Sequence, residues 1–474
     1  MIKAILFGMP DAIARFDVFA SLSNLGIVSL AGNVDPTICD VKVADLILIR
    51  PQWQEYAINL LKEHSPDIVG LSSMSFQSGS ALKLARLVKN YDKNILTVIG
   101  GYHATLTHDD LSESPDAEFI DFIVRGEGEA TFNELVTAIN AGTGYDKIRG
   151  LSYKANGVFH HNPPRELLSL DSIQLPNRDA RLIKGFSILD MPADTFETSR
   201  GCTFSCKFCS ISKMYGRSFR KYEISRVIED IRDAQKHGAK SLFIIDDNVT
   251  LDPERFGEIC EEIIASKLNS IHYEVQASVK GIAYSEKIVQ KMADAGVKLV
   301  FIGIESVSKS ELDFLGKKST TSEDTYKAVK YLKDNGIIVV GGFIVGNPDE
   351  DEKALWEVYR TAKGLKIDFP IFFILTPHAK TEIRKELLDM GVVTNPDNYN
   401  TYEGFTANVK TNFLTTQELQ ETVWKMYDKY LVNPKYLMIN QFRKTYPLCF
   451  WKTVFGQIPH VIRSFRKTRV ETLR

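Results

Sequence analysis

Three cysteines stand within eight residues, Cys202, Cys206 and Cys209, in the stretch Ser199-Arg200-Gly201-Cys202-Thr203-Phe204-Ser205-Cys206-Lys207-Phe208-Cys209. This spacing demands a short loop that closes on itself at the end of a stiff element, and the extended run Asp194 to Thr198 lies just before it. Three thiolates can hold three corners of one iron–sulfur cluster, leaving one iron open to another ligand. A zinc site needs a fourth nitrogen or sulfur nearby, whereas Cys39, Cys260 and Cys449 are isolated and distant in sequence. Three unligated exposed thiols this close would be an oxidation hazard.

On either side of a central stretch the chain alternates short apolar runs with amphipathic ones. In the first third the apolar runs Ile2 to Phe7, Ala44 to Ile49, Asp67 to Leu71, Ile95 to Ile99 and Phe119 to Val124 read as strands. Between them Gln54 to His64, Ser78 to Tyr91 and Thr131 to Ile139 read as helices, with Ala81, Leu84, Ala85, Val88 and Tyr91 on one face. Strand–helix alternation predicts a doubly wound parallel sheet. Ligands of such sheets sit beyond the carboxyl ends of the strands. The residues expected there are Ser72 and Ser73, then Gly100-Gly101-Tyr102-His103-Ala104-Thr105, then Gly126-Glu127-Gly128-Glu129, small turns that let backbone approach a ligand.

Residues 151–190 lose this periodicity, hold several prolines and read as a linker with one hairpin-like element. His160 and His161 within it have no further ligands at metal-site spacing. A second series follows, with strands expected at Asp194 to Thr198, Ser241 to Ile245, His272 to Gln276, Lys298 to Ile304, Ile337 to Val345 and Pro370 to Leu375. Ile224, Val227, Ile228 and Ile231 form the stripe of one intervening helix; Phe256, Ile259, Cys260 and Ile263 do the same in the next, which makes Cys260 a core residue. Six strand–helix units make a partial barrel, whose chemistry belongs at the carboxyl ends of its strands. The cysteine loop follows the first strand. After the others come Asp246-Asp247-Asn248, Gln276-Ala277-Ser278, Gly303-Ile304-Glu305-Ser306 and Gly342-Phe343-Ile344-Val345-Gly346. Any one polar end could be a helix cap; four at successive strand ends are harder to assign to caps.

Composition narrows the class. With 474 residues the chain is too long for one core, and 44% hydrophobic with 25% charged residues is the balance of a soluble globular protein. A net charge of −2 argues against general nucleic-acid binding, and no apolar run reaches a membrane span. Met1 to Phe7 is too short for a signal peptide, so a cytoplasmic protein is expected. Six cysteines with three clustered fit a reducing compartment and a metal site.

The cysteine stretch, with aromatic Phe208 before its last cysteine, resembles the signature of the radical S-adenosylmethionine (SAM) enzymes. The segments Asp67 to Ser72, Gly100 to Thr105 and Arg125 to Thr131 resemble the cobalamin-binding domain that precedes the barrel in one large subclass. The Asp-x-His-x-x-Gly motif of methionine synthase-type domains is absent, which leaves the lower axial cobalt ligand open. Asp-Asp-Asn at 246–248 stands where much of the superfamily has Gly-Gly-Glu, and the acidic version looks like the cobalamin subclass. The resemblance covers about Met1 to Met390. It implies an α/β architecture: a flavodoxin- or Rossmann-like cobalamin-binding domain over 1–150, a linker over 151–190, a partial (βα)6 radical SAM barrel over 191–390 and a helical segment over 391–474.

The resemblance further implies a 4Fe-4S cluster on Cys202, Cys206 and Cys209, with SAM chelating the open iron and cleaved by one electron to a 5'-deoxyadenosyl radical. SAM contacts are implied for Phe208, Asp246, Asp247, Asn248, Gln276, Ser278, Glu305, Gly342 and Gly346. Cobalamin contacts are implied for Ser72, Ser73, Gly100, Gly101, Tyr102, His103, Gly126, Glu127 and Gly128. An electron donor such as flavodoxin or ferredoxin is implied, with a small-molecule or lipid substrate. Methyl transfer to an unactivated carbon of a hydrophobic substrate, lipid, hopanoid or tetrapyrrole-like, is the leading expectation. A cyclase, oxidase or carbon–carbon coupling enzyme without methyl transfer is the alternative within the enzyme class, and a non-catalytic cobalamin or redox sensor the alternative outside it.

The end of the chain differs in character. After a helix near Leu419 to Leu431, residues 436–474 are rich in aromatic and apolar side chains (Phe442, Tyr446, Phe450, Trp451, Phe455, Val461, Ile462, Phe465), with nine Lys or Arg against one acid from Lys435 onward. Such a tail either lies on an anionic membrane surface, which would favour a hydrophobic substrate, or packs over the barrel mouth with its charges solvated.

Overall fold

In the computed structural model, which describes residues 1–12, 20–317, 320–431 and 440–451, the strands run in chain order β1 (Ile2–Gly8), β2 (Ala20–Ser21), β3 (Cys39–Asp45), β4 (Ile68–Ser72), β5 (Leu96–Gly100), β6 (Phe122–Val124), β7 (Leu151–Ala155), β8 (Val158–His161), β9 (Ser187–Ile188), β10 (Met191–Phe196), β11 (Ser199–Arg200), β12 (Arg220–Lys221), β13 (Ser241–Ile244), β14 (His272–Ser278), β15 (Val297–Glu305), β16 (Ile338–Val345) and β17 (Phe369–Ile374). The first sheet has the order β3-β1-β4-β5-β6-β7-β8. Its β3 to β6 portion is parallel, and β7 and β8 add an antiparallel hairpin. Helices Leu25–Asn33 and Gly128–Ala141 bring apolar side chains to one face, Trp53–His64 and Ser78–Tyr91 to the other. This two-faced burial is why the central strands read as continuous apolar runs.

The second sheet has the order β17-β16-β15-β14-β13-β10-β9-β2. From β10 to β17 all pairings are parallel, the six strands of a partial barrel wrapped by helices. Every residue of β16 is buried, and Phe256, Ile259, Cys260 and Ile263 sit in the core beneath the helices. The short strand β2, from the first third of the chain, pairs with β9 and so belongs to the second sheet. Arg178, from the segment between the two sheets, is anchored in the barrel. It is fully buried, with Nε 2.8 Å from Asp194 Oδ2 and Nη1 2.6 Å from Asp230 Oδ1.

Several expectations need correction. The strand expected at Ala44 to Ile49 is Cys39–Asp45, because the alternation of Cys39, Val41 and Val43 is the strand pattern, while Leu46–Leu48 turns into a 3-10 helix capped by Asp45. The strand expected at Phe119 to Val124 starts at Phe122, since Pro115–Phe119 is a 3-10 turn. Gly101 opens the helix Gly101–Glu113, so Tyr102 and His103 lie on its first turn and not in a glycine-rich loop. The hairpin expected in the linker is β7 and β8, continuous with the first sheet.

The described part of the basic, aromatic tail, residues 440–451, packs at the amino-terminal end of the barrel and not over its mouth. Phe442 and Phe450 are buried with Ala193, Ile338 and Phe369, residues near strand starts. Asn440 Nδ2 donates to the Asp368 carbonyl at 3.0 Å. The expected membrane contact through Phe455, Val461, Ile462 and Phe465 lies outside the described residues. No described helix is long and apolar enough to cross a membrane.

Candidate functional site

The end of β10 leads through β11 into the cysteine loop. Gly201, at φ +89, brings its backbone so close to the Ser218 carbonyl that a Cβ would lie 2.5 Å from that oxygen. Gly316, at φ +73, presses the Leu315–Lys317 turn against the loop from the other side, where a Cβ would meet the Ser205 carbonyl at 2.9 Å. Only glycine takes both positions without strain. Lys207 N donates to the Leu315 carbonyl at 2.9 Å and Cys209 N to the Cys206 carbonyl at 3.2 Å. Cys202, Cys206 and Cys209 consequently line one cavity of about 150 Å³.

Burial pushes the thiols up, Cys206 to about 11 and Cys209 to about 12. Thiols so placed ionise when a cation replaces their protons. Among the described residues no three His, Cys, Asp or Glu side chains converge as tightly as a single metal ion requires. The three cysteines share a cavity instead, which fits a multi-iron cluster, a body larger than one ion.

The opposite wall comes from β13 to β15. Asp247, Asn248, Gln276, Ser278 and Glu305 line it together with Phe208, Phe301 and Lys317. Asp247 Oδ2 accepts from Gly201 N at 2.8 Å. Its carboxyl is raised to about 6 by burial, so an ammonium ion beside it would favour the charged form. Asn248 Oδ1 is 3.2 Å from Ser278 N and from Thr250 Oγ1. Lys317 Nζ donates to Glu305 Oε1 at 2.7 Å and to the Gly303 carbonyl at 2.6 Å. Glu305 sits at φ +61, backbone strain that turns its carboxylate toward Lys317.

Other expected SAM residues have different surroundings. Asp246 is fully buried and its carboxylate accepts from Thr198 N, Thr198 Oγ1 and Ser199 Oγ, at 2.6, 2.6 and 2.5 Å, so it holds the approach to the cysteine loop. Gly342 makes room for the Phe301 ring, which a Cβ would meet at 2.7 Å, and Gly346 for Leu419 at 2.9 Å. Neither belongs to the cavity lining. Lys317 is a site residue that its local sequence does not mark. Its one signal is a cation just after the Leu315-Gly316 turn, and only the fold carries that turn back over the site.

In the first domain, Ser73 N donates to the Gly100 carbonyl and His103 N to the Ser73 carbonyl, at 3.1 and 3.2 Å. Gly101, at φ +91, lies so close that a Cβ would come within 2.8 Å of the Ser73 carbonyl and 3.3 Å of Ser72 Oγ. Ser73 Oγ, His103 Nδ1 and, after β1, Asp11 Oδ2 are buried without a hydrogen-bond partner. Burial lowers His103 to about 4, which leaves its ring neutral. Unpaired buried polar atoms carry a desolvation cost, so this edge fits a ligand bearing amide, hydroxyl or phosphate groups, as cobalamin does. Gly126, at φ +76, has open space where a Cβ would be. Gly128 packs on Leu30, with a Cβ 3.0 Å from its side chain. Glu127 does not point to this edge: its carboxylate is taken by Arg200 and Arg220 of the barrel, at 2.9 and 2.8 Å.

The two edges meet. Helix Gly101–Glu113 packs on the short helix Ile211–Tyr215 after the cysteine loop, where the phenols of Tyr102 and Tyr215 come close enough to influence each other; both are raised by burial, with Asp247 adding to the effect. The carboxyl end of the first sheet therefore faces the cysteine loop.

Comparison with known proteins agrees with this arrangement. Residues 15–136 match the family model of the B12 binding domain, and residues 196–362 that of the radical SAM superfamily. The chain is 33% identical over 417 residues to an uncharacterized methyltransferase of Pyrococcus horikoshii, covering 87% of this chain and 89% of that protein. It is 28% identical to the anaerobic magnesium-protoporphyrin IX monomethyl ester cyclase of Rubrivivax gelatinosus, covering 87% of this chain and 73% of the relative. Its fold superposes, with a TM-score of 0.68 at 19% identity over 82% of this chain and 75% of the other, on TsrM from Kitasatospora setae, a radical SAM methyltransferase solved with cobalamin and a [4Fe-4S] cluster.

Proposed function

The chain belongs to the radical SAM enzymes that carry a B12-binding domain, and from that premise we propose that it transfers a methyl group to an unactivated carbon of a small, largely apolar substrate. Its cofactors are a 4Fe-4S cluster, SAM and cobalamin. When bound, they supply one-electron cleavage of SAM and a cobalt centre that carries a methyl group. The observation that carries the reading is the meeting of the two strand ends at Tyr102 and Tyr215, because methyl transfer needs both cofactors around one substrate.

Cys202, Cys206 and Cys209 would hold the cluster. Asp247, Asn248, Gln276 and Ser278 present acceptors to the SAM ammonium group, while Lys317, steered by Glu305, presents a cation to its carboxylate. Ser73 and His103 would take polar groups of cobalamin. Phe204, Phe208, Phe301 and Ile211 make much of the cavity wall apolar and exclude water from it. That wall supports an apolar substrate, and the relative named for a magnesium-protoporphyrin ester is in keeping with one. The electron would come from a flavodoxin- or ferredoxin-type donor.

The same relative, a cyclase, keeps open a reaction without methyl transfer. Protein reconstituted with iron, sulfide and hydroxocobalamin, given SAM, a strong reductant and a panel of apolar candidate substrates, separates the two. Release of S-adenosylhomocysteine beside 5'-deoxyadenosine, with a product heavier by one methylene, is the expected outcome. 5'-Deoxyadenosine alone, with a substrate changed in mass but carrying no methyl from SAM, would favour the cyclase-type reading.

A further inference from the structure

The Gly-Glu-Gly-Glu turn after β6 does not serve the first domain alone. Arg200, buried and two residues before Cys202, reaches out of the barrel into this turn. Its Nη1 lies 2.9 Å from Glu127 Oε1 and its Nη2 lies 2.7 Å from Glu129 Oε1. Glu197, on the barrel side, takes the remaining edge of the guanidinium at 2.7 to 3.2 Å. The rigid five-donor fork of arginine holds Glu197 through two nitrogens while its other edges reach Glu127 and Glu129, a spread that the compact ammonium of lysine cannot span. Around them Arg220 donates twice to Glu127, and Ser29 Oγ donates to Glu129 at 3.0 Å.

The backbone on both sides of Arg200 is tied to the barrel. Thr198 and Ser199 donate to Asp246, and Gly201 N donates to Asp247, whose carboxylate lines the cavity. Arg200 thus sits between a grip on the B12-binding domain and a grip on the cavity wall. A shift at Glu127 or Glu129 displaces a segment that has no slack, since Gly201 is already in close contact with Ser218.

We propose that Arg200 is a positioning residue through which Glu127 and Glu129 of the B12-binding domain set the geometry of the cysteine loop and of Asp247. The coupling rests on the reading of Cys202, Cys206 and Cys209 as cluster ligands. It makes the first domain a structural partner of SAM binding as well as the carrier of its own cofactor. Interdomain contact alone is not enough for this role. Lys380 and Asp109 also pair across the domains, at 3.6 Å and with both side chains exposed, but neither touches the loop.

The test uses the full chain reconstituted with cluster and cobalamin, as wild type, Glu129→Gln, Arg200→Lys, their double variant, and Asp109→Asn as the interdomain control. The readout is the SAM concentration that half-converts the electron paramagnetic resonance signal of the reduced cluster. Glu129→Gln and Arg200→Lys should each raise it about tenfold with iron and cobalamin content retained, and the double variant should add little, because both changes break one contact. Asp109→Asn should leave it unchanged. An unaltered SAM titration in both single variants overturns the proposal, as does an equal shift in Asp109→Asn. Alkylation of Cys202 by iodoacetamide in iron-free protein provides a second readout that needs no cluster. Faster labelling in Glu129→Gln and Arg200→Lys than in wild type supports the positioning role, and equal rates refute it. Wild-type protein that takes up no iron would defeat the cluster reading, and the alkylation rates would still decide the role of Arg200.

Discussion

The hydroxyl of Tyr446 lies 2.7 Å from Nδ1 of His272, the first residue of β14, so the end of the described chain is hydrogen-bonded to the floor of the barrel. Phe442 and Phe450 fill the same floor. This packing puts the described tail at the end of the barrel opposite the cavity over the cysteine loop.

Phe442→Ala should then destabilise the protein by about 3–5 kcal/mol, the range for emptying a buried aromatic site. Tyr446→Phe should cost about 1 kcal/mol, the worth of one hydrogen bond. Urea unfolding of the full chain measures both. Equal midpoints for wild type and Phe442→Ala would show that the segment contributes nothing to barrel stability.

Glu274 lies above that floor, buried, with both carboxylate oxygens 2.8 Å from Ser241 Oγ. Burial raises its pKa from 4.5 to about 8. The neutral acid is favoured in the fold, so its stabilising contribution is complete below about pH 4.5 and is lost as the pH rises through about 8. Glu274→Gln, permanently neutral and of the same shape, should remove that decline. Its melting temperature relative to wild type should climb between pH 5 and pH 8; a constant difference would mean that Glu274 is ionised in the fold.

Arg178 is fully buried and joins Asp194 to Asp230, with Arg181 also on Asp194. Arg178→Met takes from Asp230 its nearest cation and leaves Asp194 with Arg181 alone, and breaking a buried pair of this kind costs about 3–5 kcal/mol. Burial alone would raise Asp194, but Arg181 and Arg178 outweigh it and hold its pKa at about 2. The stabilisation from Asp194 is therefore present above pH 3.8 and lost as the pH falls through about 2. In acid unfolding of wild type between pH 4 and pH 2 this loss should be visible, and it should be reduced only in part in Arg178→Met, because Arg181 stays on Asp194.

Lys317 pairs with Glu305 inside the cavity. Lys317→Ala should weaken SAM binding about 10-fold or more, the scale of one charge-assisted hydrogen bond, while Lys317→Arg should recover part of it. Equilibrium dialysis of SAM against reconstituted protein reads this directly. Unchanged affinity in Lys317→Ala would assign the residue to holding Glu305 alone.

Alanine at Cys202, Cys206 and Cys209 together should abolish iron binding and leave cobalamin binding intact, because the polar edge at Ser73 and His103 lies in the other sheet. Iron analysis and the visible spectrum of cobalamin in the same sample measure the two independently. Loss of both would mean that the domains do not fold as separate cofactor sites.

Much of this protein is determined locally and could be read from its residues. Alternating apolar runs gave the parallel strands, because a strand buried on both faces needs no tertiary information to be recognised. The cysteine spacing gave the loop, because its chemistry lies in adjacent residues. Element boundaries were less legible. Ala44 to Ile49 is as apolar as a strand, yet Asp45 caps a turn there, and the strand is the alternating Cys39–Asp45 before it. What only the tertiary structure decided is where side chains go once the sheets meet. Glu127 lies in a turn that suits a ligand, but Arg200 and Arg220 claim it across a domain boundary 73 and 93 residues away. Lys317 and the Tyr102–Tyr215 contact likewise depend on distant segments brought together. A sequence determines local periodicity and the chemistry of each residue, whereas the pairing of charges between domains follows from packing that no local window contains.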